Sequence, residues 1–175
     1  MGTYRILLRS QARKAGGYFS EQEFDLAAFR HLRPRMAELG RSCVHPDYRS
    51  GTVIALLWGG LADYMTFHGH DHIIGCASIS MADGGYVAAR VYKKLIERCL
   101  SPLEWRAGPR NRLPIESLST KIDALLPPLA KSCGGLGAWV CGEPSWDPRF
   151  NTANLLMMLP MVRLNTTDAR RPLPA

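Results

Sequence analysis

The 175 residues, 46% apolar and 21% charged, have the length and balance of one globular domain with its own core, not of a disordered segment. No apolar run approaches the roughly eighteen residues that a membrane-spanning helix needs, and MGTYRILLRS lacks the basic start and long apolar stretch of a secretory leader, so a cytoplasmic protein is expected. The formal charge of +7 favours acidic partners, such as an acidic carrier protein or anionic lipid, while no RNP-like or zinc-finger pattern points to nucleic acid.

In chain order, TYRILL (residues 3–8) predicts a strand and Gly16-Gly17 a loop, and FDLAAFRHL (24–32) reads as a short helix. Residues 36–44 predict the next strand. TVIALLWGGLADYMTF (52–67) is apolar on most faces and predicts a well-buried helix, with Gly59-Gly60 suggesting a close neighbour. HIIGCASI (72–79) is a continuous apolar run of the kind a central strand shows. Residues 86–100 form an amphipathic helix with Val87, Val91, Leu95 and Ile96 on one face. A Pro- and Arg-rich connector over 101–114 precedes a helix from Ser117 that must stop or restart at Pro127-Pro128. LGAWVC (136–141) and ANLLMML (153–159) predict late strands joined by GEPSWDPRFNT (142–152). Strands interleaved with helices give an α/β domain on a mixed sheet over residues 1–163, and residues 164–175 read as a disordered tail.

Three stretches carry candidate chemistry. In AELGRSCVHPDYRSG (37–51), Glu38 and Arg41 lie inside a strand, where charge is costly unless paired or used. A structural Glu–Arg pair and a catalytic pair are the two readings. FHGHDH (67–72) gathers three histidines and an aspartate, but no second ligand cluster appears elsewhere. Histidine at a helix C-terminus is favourable in its own right, so no metal site is expected. Five cysteines (Cys43, Cys76, Cys99, Cys133, Cys141) form no CxxC pair and leave one over in any pairing. They are read as small buried hydrophobes, Cys43 beside Arg41 being the one nearest to thiolate-favouring surroundings.

ELGRSCVHPDYRSGTVIALLW, IGCAS, LGAWVCGEPSWDPRFNTANLLMMLP and RLN resemble, in that order, the L-ornithine Nα-acyltransferases that begin ornithine-lipid synthesis. These are GNAT-like acyltransferases, related to the acyl-homoserine-lactone synthases. The resemblance implies a GNAT-like mixed, mostly antiparallel sheet flanked by helices. The implied reaction joins the α-amine of L-ornithine to a 3-hydroxyacyl group carried as a thioester on acyl carrier protein, with no separate cofactor. It also implies a segment ahead of GTYRILL, so the chain is expected to be a fragment or to have a start assigned too late.

By the same resemblance, Glu38 is the base and Arg41 orients it or holds the ornithine carboxylate, provided a bulge turns Arg41 towards it. Backbone amides at Cys43 and Val44 would pair with the pantetheine arm and serve the oxyanion. Arg49, Ser50, Gly51 and Thr52 would meet its phosphate at a helix N-terminus. Asp47 and Tyr48 are read as helix-entry residues. Coenzyme A-dependent GNAT enzymes carry Arg/Gln-x-x-Gly-x-Gly/Ala there. In Arg49-Ser50-Gly51-Thr52-Val53-Ile54, Thr52 and Ile54 replace the small residues, which fits a single-phosphate carrier better than a diphosphate. Glu143 and Asp147 are candidates for the ornithine side-chain ammonium, with loop carboxylates as the plain alternative, and Trp139 and Trp146 for core or acyl-tunnel lining. The expected place of action is the cytoplasm, with peripheral contact at an anionic inner membrane. The rival readings are an acyltransferase for another amine and an inactive fragment that only binds carrier protein or membrane.

Overall fold

The computed structural model describes residues 2–48, 51–118 and 136–164. Its strands are β1 (Gly2–Leu8), β2 (Phe24–Asp25), β3 (Met36–Val44), β4 (His72–Ser80), β5 (Gly108–Pro109), β6 (Trp139–Val140), β7 (Ser145–Asp147) and β8 (Thr152–Pro160). The helices are α1 (Arg9–Lys14), α2 (Gly51–Phe67) and α3 (Tyr86–Cys99). The main sheet runs β1-β3-β4-β8, with β6 and β7 both on the outer edge of β8, and β2 pairs with β5 apart from it. Within the main sheet β3 and β4 are parallel and the other pairs antiparallel, which is the mixed sheet expected.

Alternation along the strands divides the core. Ala37, Ile73, Ala77, Leu155, Met157 and Leu159 face α2 and α3. Met36, Ile74, Leu156 and Met158 face the other way, onto Tyr18, Phe24, Leu26, Phe29 and Leu32. The second layer is not the helix expected over 24–32. Phe24 enters β2, and a 3-10 turn follows at Ala27–Phe29. The three-residue spacing of Leu26, Phe29 and Leu32 suits 3-10 turns, whose side chains repeat every third residue.

Helix α2 is also less buried than its composition suggests. Ala55, Leu61 and Met65 form its buried stripe, whereas Leu56 and Phe67 are 70% and 85% exposed. Gly59 and Gly60 meet no backbone neighbour, and a Cβ on Gly60 would make only ordinary contact with the Tyr4 hydroxyl at 3.6 Å. Helix α3 follows its pattern, burying Val91 and Leu95. The late strand expected over 136–141 is limited to Trp139–Val140, and the loop after it contains β7. The helix expected from Ser117 lies almost wholly outside the described residues, Ser117 itself closing a 3-10 turn. So does the expected tail, except for Leu164, which is buried in the core.

What positions the site is a divergence of β3 from β4. Their parallel pairing runs Met36↔His72, Ala37↔Ile73 and Glu38↔Ile74, then stops. Beyond it β3 stays with β1, up to Gly2↔Val44, while β4 stays with β8 up to Ser80↔Thr152. At the vertex, a Cβ on Gly75 would lie 2.6 Å from the Leu39 carbonyl oxygen, so glycine lets the two strands touch just where they part.

Candidate active site

Glu38 is the last residue of the β3–β4 pairing and is 4% exposed. It faces the layer built by residues 18–36, where the 3-10 turn Phe19–Gln22 presents its first amides. The Phe19 N–H donates to Oε2 at 2.6 Å, and the Ser20 N–H to Oε1 at 2.8 Å. The Ser20 hydroxyl donates to Oε1 as well. Three donors satisfy most of a buried carboxylate, and Oε2, with one bond made, keeps an acceptor direction for another group.

Cys76 extends this cluster, its Sγ 3.4 Å from the Ser20 hydroxyl oxygen. Burial pushes the Cys76 thiol up to about 12, with the nearby Glu38 and Glu23 charges adding to the rise, so it stays neutral near pH 7. A thiolate nucleophile is absent from this position.

The divergence opens a cavity of about 550 Å³ on the Glu38 side of the sheet. Glu38, Arg5, Arg41 and Asp147 bring two carboxylates and two guanidiniums to its wall, and Ser78, Thr152 and Asn154 add neutral polar groups. On the α2 side, a second cavity of about 330 Å³ is mostly apolar, with Trp58, Ile73, Met157 and Leu159 among its lining. Leu39, Gly40, Arg41, Cys76 and Ser78 line both, so the parted strands join a chamber with four charged side chains to one whose only charged side chain is Arg41.

Arg41 reaches the charged chamber through the bulge that the sequence required. Between Thr3↔Cys43 and Arg5↔Gly40 the register shifts, giving β3 one extra residue, and Arg41 takes the left-handed conformation at φ 54°. Its guanidinium lies 5.8 Å from the centre of the Phe19 ring.

The other expected site residues fall into three groups. Asp147 is 8% exposed and lines the charged chamber. Its Oδ1 accepts from the Arg149 and Phe150 amides at 2.8 and 3.3 Å. Glu143 is not brought to the chamber; it pairs with Arg112 at 2.5 Å on the surface. Cys43 is exposed on β3 rather than buried, and Cys43 and Val44 lie on the stretch that has left β4.

Gly51 and Thr52 open α2, and Arg49 and Ser50 lie outside the described residues. Asp47 and His45 approach at 3.6 Å in the turn before α2. Trp139 packs against Trp105 and under Arg163, away from both chambers, whereas Trp146 borders a third cavity next to Asp147. Among the described residues, no three His, Cys, Asp or Glu side chains come together as a metal site would need. Ser20, Arg5, Ser78 and Thr152 were not singled out in the sequence. Register alone would have set Ser78 opposite Asn154, but nothing local to YFSEQE marks Ser20 as the partner of a residue eighteen positions away.

A GNAT acetyltransferase domain matches residues 1–59, the segment that contains β1, β3 and the start of α2. The L-ornithine N(alpha)-acyltransferase of Brucella abortus (strain 2308) is 35% identical over 178 residues, covering 95% of this chain and 62% of that protein. The enzyme of the same name from Agrobacterium fabrum (strain C58 / ATCC 33970) is 37% identical over 172 residues, covering 92% and 58%. The chain is similar to these acyltransferases over nearly its whole length. Its GNAT-like sheet parts at Glu38, inside the segment that the domain match covers. A third enzyme of that name, from Rhizobium meliloti (strain 1021), is 34% identical and covers 94% of this chain and 59% of its own length. The chain therefore spans about six-tenths of the length of these curated relatives. No solved structure matches it significantly.

Proposed function

We propose that this chain carries the acyl-transfer site of an L-ornithine Nα-acyltransferase. In this reading it takes a 3-hydroxyacyl group from the thioester of acyl carrier protein and delivers it to the ornithine α-amine. The observation that carries the reading is Glu38, held by three donors beside the gap where β3 leaves β4, with one oxygen still able to accept.

Ornithine enters the charged chamber as an ammonium. Glu38 Oε2, directly or through one water, removes a proton and leaves a free-base nitrogen. The nitrogen lone pair attacks the thioester carbonyl carbon, forming the C–N bond and an oxyanion. Amides of β3 beyond Glu38, on the edge that β4 has left, supply donors to that oxygen, and the same edge pairs with the pantetheine arm. Collapse breaks the C–S bond, and the thiolate takes up a proton as the amide nitrogen loses its second one. The acyl chain lies in the apolar chamber across the gap, and Arg41 and Arg5 hold the ornithine carboxylate.

Gly51 and Thr52, which open α2, receive the carrier's phosphate together with Arg49 and Ser50, the residues before them in the sequence. The +7 charge favours both an acidic carrier and peripheral contact with anionic lipid, at the inner membrane surface.

The test is release of free carrier thiol in the presence of ornithine. The reading expects release that needs both ornithine and the acylated carrier, faster than with the coenzyme A thioester of the same acyl group. Release at the background hydrolysis rate, with or without ornithine, would reject it.

A further inference from the structure

The wall of the charged chamber away from Glu38 holds a second polar group for which the transfer step has no use. Thr152 stands directly opposite Asp147 in the β7–β8 pair, and Asn154 opposite Ser78 in the β4–β8 pair. Thr152 and Asn154, two apart on β8, share a face, so all four side chains form one patch on the chamber wall. The Ser78 hydroxyl donates to Asn154 Oδ1 at 2.6 Å and the Thr152 hydroxyl approaches it at 3.5 Å, which leaves the lone pairs of both hydroxyl oxygens towards the chamber they line.

Asp147 supplies the charge. Its Oδ1 is committed to two backbone amides of the turn that follows, but its Oδ2 has no hydrogen-bond partner among the described residues. A carboxylate on an 8% exposed residue, with one oxygen unspent and Thr152 directly opposite it, is the surrounding a desolvated ammonium needs. Arg5 and Arg41 line the same chamber and Arg149 the adjoining cavity. Arg41 and Arg149 are spread over the Phe19 and Phe150 rings.

We infer that Asp147, with Thr152 opposite it, forms a subsite for the far ammonium of a diamino acid, and so selects the acceptor by its side chain while Glu38 acts on its α-amine. This rests on the acyltransfer reading above. The selection works by difference: an acceptor without the second amine leaves the Asp147 charge without a partner on the chamber wall.

The experiment compares L-ornithine with L-norvaline, which has the same carbon chain and no terminal amine. N-acylated product is measured by mass spectrometry, and acceptor binding by calorimetry. Wild type is expected to favour ornithine by roughly tenfold to a hundredfold in kcat/KM and in affinity, the usual range for losing one charged hydrogen bond. Asp147→Asn keeps an oxygen for the Arg149 and Phe150 amides and so keeps the turn. It should lower the ornithine values towards those of norvaline and leave norvaline itself nearly unchanged. Thr152→Val, which leaves the Asp147 turn bonds alone, should narrow the same preference by a smaller factor.

Equal use and equal binding of the two acceptors by wild type would overturn the subsite and leave acyl transfer standing, as would an unchanged preference in Asp147→Asn. No product from either acceptor would reject the acyltransfer reading, and equal or absent binding in that case would reject the subsite as well.

Discussion

Glu38 and Cys76 meet through Ser20, and their chemistry differs because their surroundings do. Glu38 has three donors around it, whereas Cys76 has burial and neighbouring negative charge, which push its thiol up to about 12. Alkylation at pH 8 is therefore expected to label exposed Cys43 well before Cys76 in the folded protein. Peptide mass spectrometry after a brief iodoacetamide pulse reads this directly, and early labelling of Cys76 would contradict the neutral thiol.

Glu38→Gln should lower turnover by about 10²–10⁴-fold, the usual worth of a general base. The exchange also sets an amide NH2 against the Phe19 or Ser20 donors, costing on the order of 1–3 kcal/mol of stability. A urea titration run beside the assay separates the two effects. Glu38 and Arg41 stood out in the sequence as charges inside a strand, which are costly to bury unpaired, whereas Asp147 stood only among turn carboxylates, which are common without a ligand. Glu143 was legible too, but its assignment to ornithine gave way to Arg112, since a loop carboxylate looks alike whether it meets a substrate or a surface arginine.

The elements set by a long apolar pattern, β4, α3 and β8, emerge in the structure much as the sequence presents them. The layer over residues 18–35 was not legible. Phe24, Leu26, Phe29 and Leu32 suit a helix or a series of 3-10 turns equally well, and tertiary burial decided between them. Two predictions belong at this scale. Gly75→Ala forces a methyl group against the Leu39 carbonyl where β3 and β4 part. It should cost about 1–3 kcal/mol, seen as a lower urea midpoint; an unchanged midpoint would mean that the strands separate without strain.

The second concerns His70 and His72, which lead into β4. Burial lowers both below the ordinary 6.5, and His72 Nδ1 is buried without a hydrogen-bond partner. Below pH 6.5 the unfolded chain then binds protons that the fold excludes, so stability should fall on acidification from pH 7.5 to 5.5. His72→Phe removes one of these groups while keeping a ring beside Trp105, and should flatten the pH dependence in part. An identical slope in the variant would contradict the assignment.

Across the whole molecule, the parted strands make one path from an apolar chamber under α2 to a charged chamber under the 18–36 layer. The proposed reaction uses both, the charged side chains for the amino acid and the apolar wall for the acyl chain. The resemblance to L-ornithine Nα-acyltransferases could be read in the sequence because its long motifs fall on β3, α2, β4 and β8, which also build the gap. The chambers themselves could not, because they arise from where a pairing stops, and strand partners far apart in sequence settle that point.

The measurement that bears most directly on the account is mass spectrometry of the product formed from L-ornithine and 3-hydroxyacyl carrier protein, with fragmentation to locate the acylated nitrogen. Wild type and Glu38→Gln should be run side by side. The account predicts Nα-acylornithine from wild type and a loss of about 10²–10⁴-fold in the variant. Acylation at the side-chain nitrogen, or equal product from both proteins, would contradict it.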